Sequence, residues 1–109
     1  MPPLTPAVVH VLLSLAGGER HGYAILKEVL LQTHNQVRLG PGTLYGTLER
    51  LMESGWVEET DGPDAQDERR RYYRLTRSGR EALRGEVERL DALVRGARAR
   101  GIAPRPSRG

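Results

Sequence analysis

The stretch LGPGTLYGTLERL, residues 39–51, decides how this chain is read. It opens as a loop. Gly40-Pro41-Gly42 breaks regular structure, with Pro41 suited to the first helical turn, where its missing N–H would be unpaired anyway, and Gly40 suited to the N-cap. It continues as an amphipathic helix, with Leu44, Leu48, Leu51 and then Met52 at the i, i+4, i+7 and i+8 positions of one face. The other face is assembled from Thr43, Tyr45, Gly46, Thr47 and Arg50. These make a small, polar, slim surface open to close approach, where an ordinary solvated face would carry more Lys and Glu.

Two helices are expected before it. Thr5-Pro6 supplies a capping residue followed by Pro at the first helical position, and the apolar run Val8, Val9, Val11, Leu12, Leu15 ends at Gly17-Gly18. A helix this apolar is expected to be buried on most of its surface. The second helix spans about Gly22 to Thr33, with Tyr23, Ile25, Leu26, Val29 and Leu30 as its apolar contacts. Residues 36–39 could form a single extended bridge. The third helix, Pro41 to Ser54, meets a C-terminal stop at Gly55.

After Gly55 the period changes from helix to strand. Trp56–Thr60 and Arg69–Leu75 read as two strands around a polar loop that starts Asp61-Gly62-Pro63-Asp64. Thr76 then caps a last helix to about Arg98. The expected fold is mainly α with a small β-hairpin: a winged helix-turn-helix over 1–76, a C-terminal dimerisation helix over 77–98 and a disordered tail over 99–109. In such a fold the third helix enters the major groove and the wing touches the flanking backbone. The slim face then has a reason, because short side chains let base edges and helix come close while Arg50 and Tyr45 reach outward.

Composition bounds the alternatives. Hydrophobic residues make up 38% and charged residues 28% of the 109, which suits one globular domain rather than a disordered chain. The net charge is only +3, but every cationic residue except Lys27 is Arg. Arg binds phosphate bidentately, yet a GC-rich genome would produce the same bias, so composition alone is neutral. The absence of cysteine excludes disulfides and thiolate metal sites. The most apolar run, Val8 to Ala16, is too short to span a bilayer, and no secretory signal is evident, so a cytoplasmic location without membrane contact is expected.

On these residues the chain resembles the PadR-type transcriptional regulators. The resemblance is carried by His21-Gly22-Tyr23, by Pro41-Gly42-Thr43-Leu44-Tyr45, by Glu49-Arg50-Leu51 with Gly55, and by Arg70-Arg71-Tyr72-Tyr73-Arg74-Leu75-Thr76 closed by Gly79-Arg80. It spans roughly residues 4 to 84. The resemblance implies a winged helix dimer on a pseudo-palindromic operator, usually a repressor, of the short subfamily with a single C-terminal helix. Two positions depart from it: Gly46 stands where the family commonly has Pro, and Gly40 where it often has Ser or Thr. Some members stack flat aromatic drugs on a Trp of the last helix; here the only Trp is Trp56, so that mode is not expected.

The candidate residues have plainer readings beside the sharper ones. Trp56 and Tyr73 are better read as core, since large aromatics dominate small cores. Tyr45 leans to DNA contact, and Tyr23, at the start of the second helix, is balanced between phosphate contact and packing. Arg69, Arg70 and Arg71 follow the acidic Asp61, Asp64, Asp67 and Glu68; a neutralised hairpin competes with a wing tip that grips phosphate, and the second is preferred. The histidines His10, His21 and His34 lack ligand spacing, so no metal is assigned. Neither a catalytic set nor a phosphate-cradling loop is present, and no cofactor is expected. The DNA-binding set is therefore Tyr23, Thr43, Tyr45, Gly46, Thr47, Arg50 and Arg69–Arg71, with double-stranded DNA as partner. The dimerisation set is Leu83, Val87, Leu90, Val94 and Ala97, spaced 4, 3, 4, 3 like a coiled-coil stripe. A small-molecule effector of unknown identity is allowed for. The rival reading is a winged helix that serves as a protein–protein adaptor.

Overall fold

The computed structural model describes residues 4–62 and 71–102. Its elements run α1 (Pro6–Ala16), β1 (Arg20–His21), α2 (Gly22–Gln32), α3 (Pro41–Glu53), β2 (Val57–Thr60), β3 (Tyr72–Leu75) and α4 (Arg77–Ala99). Local chemistry sets the helix ends. Thr5 Oγ1 accepts from the Val8 N–H and Thr76 Oγ1 from the Gly79 N–H, so each satisfies a donor that has no partner within its helix. α2 is capped by a ring instead: His21 Nδ1 accepts the Ala24 N–H at 3.2 Å. α3 starts at Pro41 after Gly40, with no side-chain cap.

The expected two-stranded hairpin is a three-stranded antiparallel sheet in the order β1-β3-β2. Val57 faces Leu75 and Thr60 faces Tyr72 across the wing, while Arg20 and His21 face Tyr73 and Tyr72 on the other edge. The proposed bridge at residues 36–39 does not form. The chain there winds around the end of α2. His34 and Asn35 adopt left-handed φ of 51° and 65°, the Asn35 N–H reaches Leu30 O at 2.9 Å, and Thr33 Oγ1 accepts the Val37 N–H at 3.0 Å. The Gln36 and Val37 N–H groups are satisfied in that turn, and Arg20–His21 pairs with β3 instead.

The core joins α1 (Val11, Leu12, Leu15), α2 (Ile25, Val29), α3 (Leu44, Leu48, Leu51), Val57, Tyr73 and Leu83. Each such side chain contributes about 1.5–3 kcal/mol by leaving water. Leu83 corrects the dimerisation set: it is 6% exposed and packs in its own domain, because the first turns of α4 lie against α1 and β3. Val87 and Val94 are exposed, while Leu90 and Ala97 are half-buried.

α4 is fastened at both ends of its packed half. The Thr76 N–H donates to Trp56 O at 3.0 Å, and a Cβ at Gly79 would lie 2.0 Å from that carbonyl oxygen, so only glycine lets the helix approach here. Further on, buried Glu86 accepts the Leu4 N–H at 3.2 Å and Arg89 Nε at 2.7 Å. The Arg89 hydrogen bond holds the Glu86 carboxyl below the ordinary value of 4.5, against the opposing effect of desolvation. α4 ends with Gly101 at φ 73° and the Ile102 N–H on Ala97 O, a left-handed helix cap. Residues 99–102 therefore belong to the helix end rather than to a disordered tail; the remainder of that tail, 103–109, lies outside the described residues.

Candidate nucleic-acid interface

α3 buries Leu44, Thr47, Leu48 and Leu51 and turns Gly42, Thr43, Tyr45, Glu49, Arg50 and Glu53 outward, with Gly46 between. Thr47 is a correction. It is 4% exposed, because at i+3 from Leu44 and i−4 from Leu51 it falls within the apolar stripe rather than opposite it. Its hydroxyl lies 3.5 Å from Arg50 Nη2, so it marks where the exposed Arg50 side chain folds back. Glu49 was missed from the slim face. Helical spacing places it on the line of Gly42 and Gly46, at i+7 and i+3 from them, and it is exposed. At both glycines the space a Cβ would fill has no neighbouring atom within 4 Å.

Tyr45 has two roles available. It is 47% exposed, yet its phenol lies over Gly22, at the start of α2, so close that a Cβ there would be 2.6 Å from the hydroxyl oxygen. The contact joins the start of α2 to α3. Behind it the buried Tyr73 phenol has its pKa raised above 10.0 by burial first, then by Glu59 and Tyr45, and so remains a neutral hydroxyl at physiological pH.

Beside α3, an aromatic row surrounds the start of α2. The His21 ring stacks on Tyr23 at 6.5 Å and meets Tyr72 edge-on at 5.5 Å, and Lys27 Nζ lies 5.4 Å from the centre of the exposed Tyr23 ring. On the wing, Arg71 Nε is 3.4 Å from Glu59 and Arg74 pairs with Glu58. Arg71 is therefore exposed but already paired. Arg69 and Arg70 lie outside the described residues.

His10, His21 and His34 fall in a cleft, at a helix cap and in a turn, and the described residues contain no group of three or more His, Asp or Glu able to hold a metal. The cleft, of about 320 Å³ between α1 and α4, is lined by Leu4, Pro6, Val9, His10, Glu86, Arg89 and Leu90. His10 Nδ1 is buried there without a hydrogen-bond partner among the described residues. No described helix is long and apolar enough to cross a membrane.

Three helices, with a strand pair following the third and a short strand preceding the second, define a winged helix-turn-helix domain. Residues 11–85 match the model of the transcriptional regulator PadR-like family. The chain is 38% identical over 88 residues to the transcriptional regulator Rv3488 of Mycobacterium tuberculosis, covering 80% of this chain and 78% of that one. It is 40% identical over 83 residues, 76% of this chain, to an uncharacterised 37.1 kDa protein in transposon TN4556 of Streptomyces fradiae, of whose length it spans only 22%. A PadR family transcription regulator from Clostridium difficile has the same fold, with a TM-score of 0.72 at 20% identity over 87% of this chain and 97% of that one. The chain belongs to the PadR-like family of transcriptional regulators.

Proposed function

We propose that the chain is a cytoplasmic, homodimeric repressor that binds a pseudo-palindromic operator in double-stranded DNA. The observation that carries this reading is the outward face of α3, slim over its first two turns and flanked by Arg50 on one side and Tyr45 on the other. An α-helix of that profile fits the major groove, where Arg pairs with guanine O6 and N7. Thr43, Tyr45, Gly46 and Arg50 meet or approach the bases. Tyr23, with Lys27 above its ring, serves the phosphate backbone, and Arg69, Arg70 and Arg71 serve it from the wing.

Two copies join along α4, through Val87, Leu90, Val94 and Ala97, which continue past the half of the helix that its own domain covers. A two-fold seam of this kind spaces recognition helices by about one DNA turn, roughly 34 Å. A small effector has a place in the α1–α4 cleft, where His10 Nδ1 is buried with no hydrogen-bond partner among the described residues.

The adaptor reading is favoured by one observation: Arg71 and Arg74 spend their charge on Glu59 and Glu58 rather than presenting it. Footprinting on the DNA upstream of the chain's own gene separates the two. A protected region with two-fold sequence symmetry is expected of the repressor; protection nowhere, at low salt and micromolar protein, contradicts it.

A further inference from the structure

Along its outward line α3 presents bare backbone at Gly42 and Gly46 and then the carboxylate of Glu49. Glu49 forms no ion pair with a described residue, whereas Glu58 and Glu59 on the adjoining strand are neutralised by Arg74 and Arg71. An unpaired anion on a face that meets a phosphate-lined groove is repelled unless the duplex offers it a hydrogen bond. A carboxylate only accepts. On the major-groove edge the donors are the exocyclic amines of cytosine and adenine, while guanine presents two acceptors and thymine an acceptor and a methyl group. The adenine amine lies beside the N7 acceptor, which repels a carboxylate, so cytosine is the better fit.

The geometry points to Glu49 as a specificity residue that selects cytosine at one position of each half-site and rejects guanine and thymine there, a reading that rests on the DNA-binding function proposed above. The two glycines make the contact reachable. With no side chain ahead of Glu49 on that line and no atom near where one would be, the helix backbone can come close to the bases. Arg50, one residue on, points about 100° further round the helix and folds toward Thr47, so cation and anion address different base edges.

Selection from a library of randomised duplexes, with the full-length wild type and the variants Glu49→Ala and Glu49→Gln, tests this. The wild type should enrich a motif with cytosine at one position per half-site. Glu49→Ala should lose that preference by at least about fivefold and keep the rest of the motif. Glu49→Gln should move it to adenine, whose N6 and N7 match a carboxamide, a change of preference that a merely structural role would not produce. An identical motif in all three proteins overturns the assignment and leaves the DNA-binding reading standing. So does a loss at a position where the wild type prefers an A·T pair, since a cytosine contacted on either strand makes the selected pair C·G. A wild type that enriches no duplex overturns both.

Discussion

The phenol of Tyr45 closes over the α-carbon of Gly22: a methyl group on that carbon would sit 2.6 Å from the Tyr45 hydroxyl oxygen and 3.0 Å from the ring carbon that bears it. Two separate motifs, His21-Gly22-Tyr23 and Pro41-Gly42-Thr43-Leu44-Tyr45, thus meet in space through Gly22 and Tyr45. It ties the start of α2 to the first turns of α3, beside the packing of Ile25 and Val29 on Leu44 and Leu48.

Gly22→Ala should therefore behave differently in two backgrounds. Alanine gains up to about 1 kcal/mol over glycine in a helix, but in the wild type that gain is offset by pushing the phenol aside. In a Tyr45→Ala background nothing opposes it, and the melting temperature should rise. A double-mutant cycle of thermal melts measures the coupling. Strictly additive effects would mean the two residues do not constrain each other.

Gly46→Ala separates stability from function. The site is helical and the added methyl meets open space, so the chain should gain about 0.5–1 kcal/mol in denaturant unfolding. The same methyl stands on the outward line of α3, and operator affinity should fall nonetheless. Retained affinity would show that this face does not approach DNA closely.

Glu86 gives the fold an acid-sensitive fastening. Its folded-state pKa is depressed by the Arg89 hydrogen bond, so its contribution is present above the unfolded value near 4.5 and is lost as pH falls through the lower folded value. Glu86→Gln should lower the melting temperature at pH 7 and narrow its gap to wild type as pH drops below 4.5. A gap constant from pH 7 to 3 would contradict this.

Val94→Asp tests the proposed α4 seam and should yield a monomer. Val94 is 38% exposed on α4, so aspartate there costs the single domain little, whereas Leu90 is half-buried in the α1–α4 cleft and would confuse unfolding with dissociation. Burying an unpaired carboxylate in an apolar seam costs several kcal/mol. Sedimentation velocity at micromolar concentration should show a monomer with unchanged far-UV circular dichroism; a persistent dimer would place the seam elsewhere.

Much of the fold was legible because its signals are local. Thr5-Pro6, Gly17, Pro41, Gly55 and Thr76 each announce a helix end, and the structure starts or stops its helices within two residues of them. What was illegible depends on distant partners. β1 is two residues long and exists only because Tyr72 and Tyr73 lie alongside it, and no periodicity can show in a pair. The fate of Leu83 depended on α1, some 70 residues earlier, covering the first half of α4. On α3 the leucine spacing shows the apolar stripe but not its centre: the polar Thr47 falls inside it and the charged Glu49 lies on the line of Gly42 and Gly46, because helical angle rather than polarity sets which side a residue takes.

The most direct test of the central claim is a fluorescence anisotropy titration of wild type and Arg50→Ala against a footprinted operator and a scrambled duplex of equal length, at two salt concentrations. Wild type should prefer the operator. Arg50→Ala, with the fold intact because Arg50 is exposed, should lose about 1–3 kcal/mol of that preference while its affinity for the scrambled duplex changes little. Equal selectivity of the two proteins at matched salt, or no preference for the operator by wild type, would contradict the assignment of α3 as the helix that reads DNA.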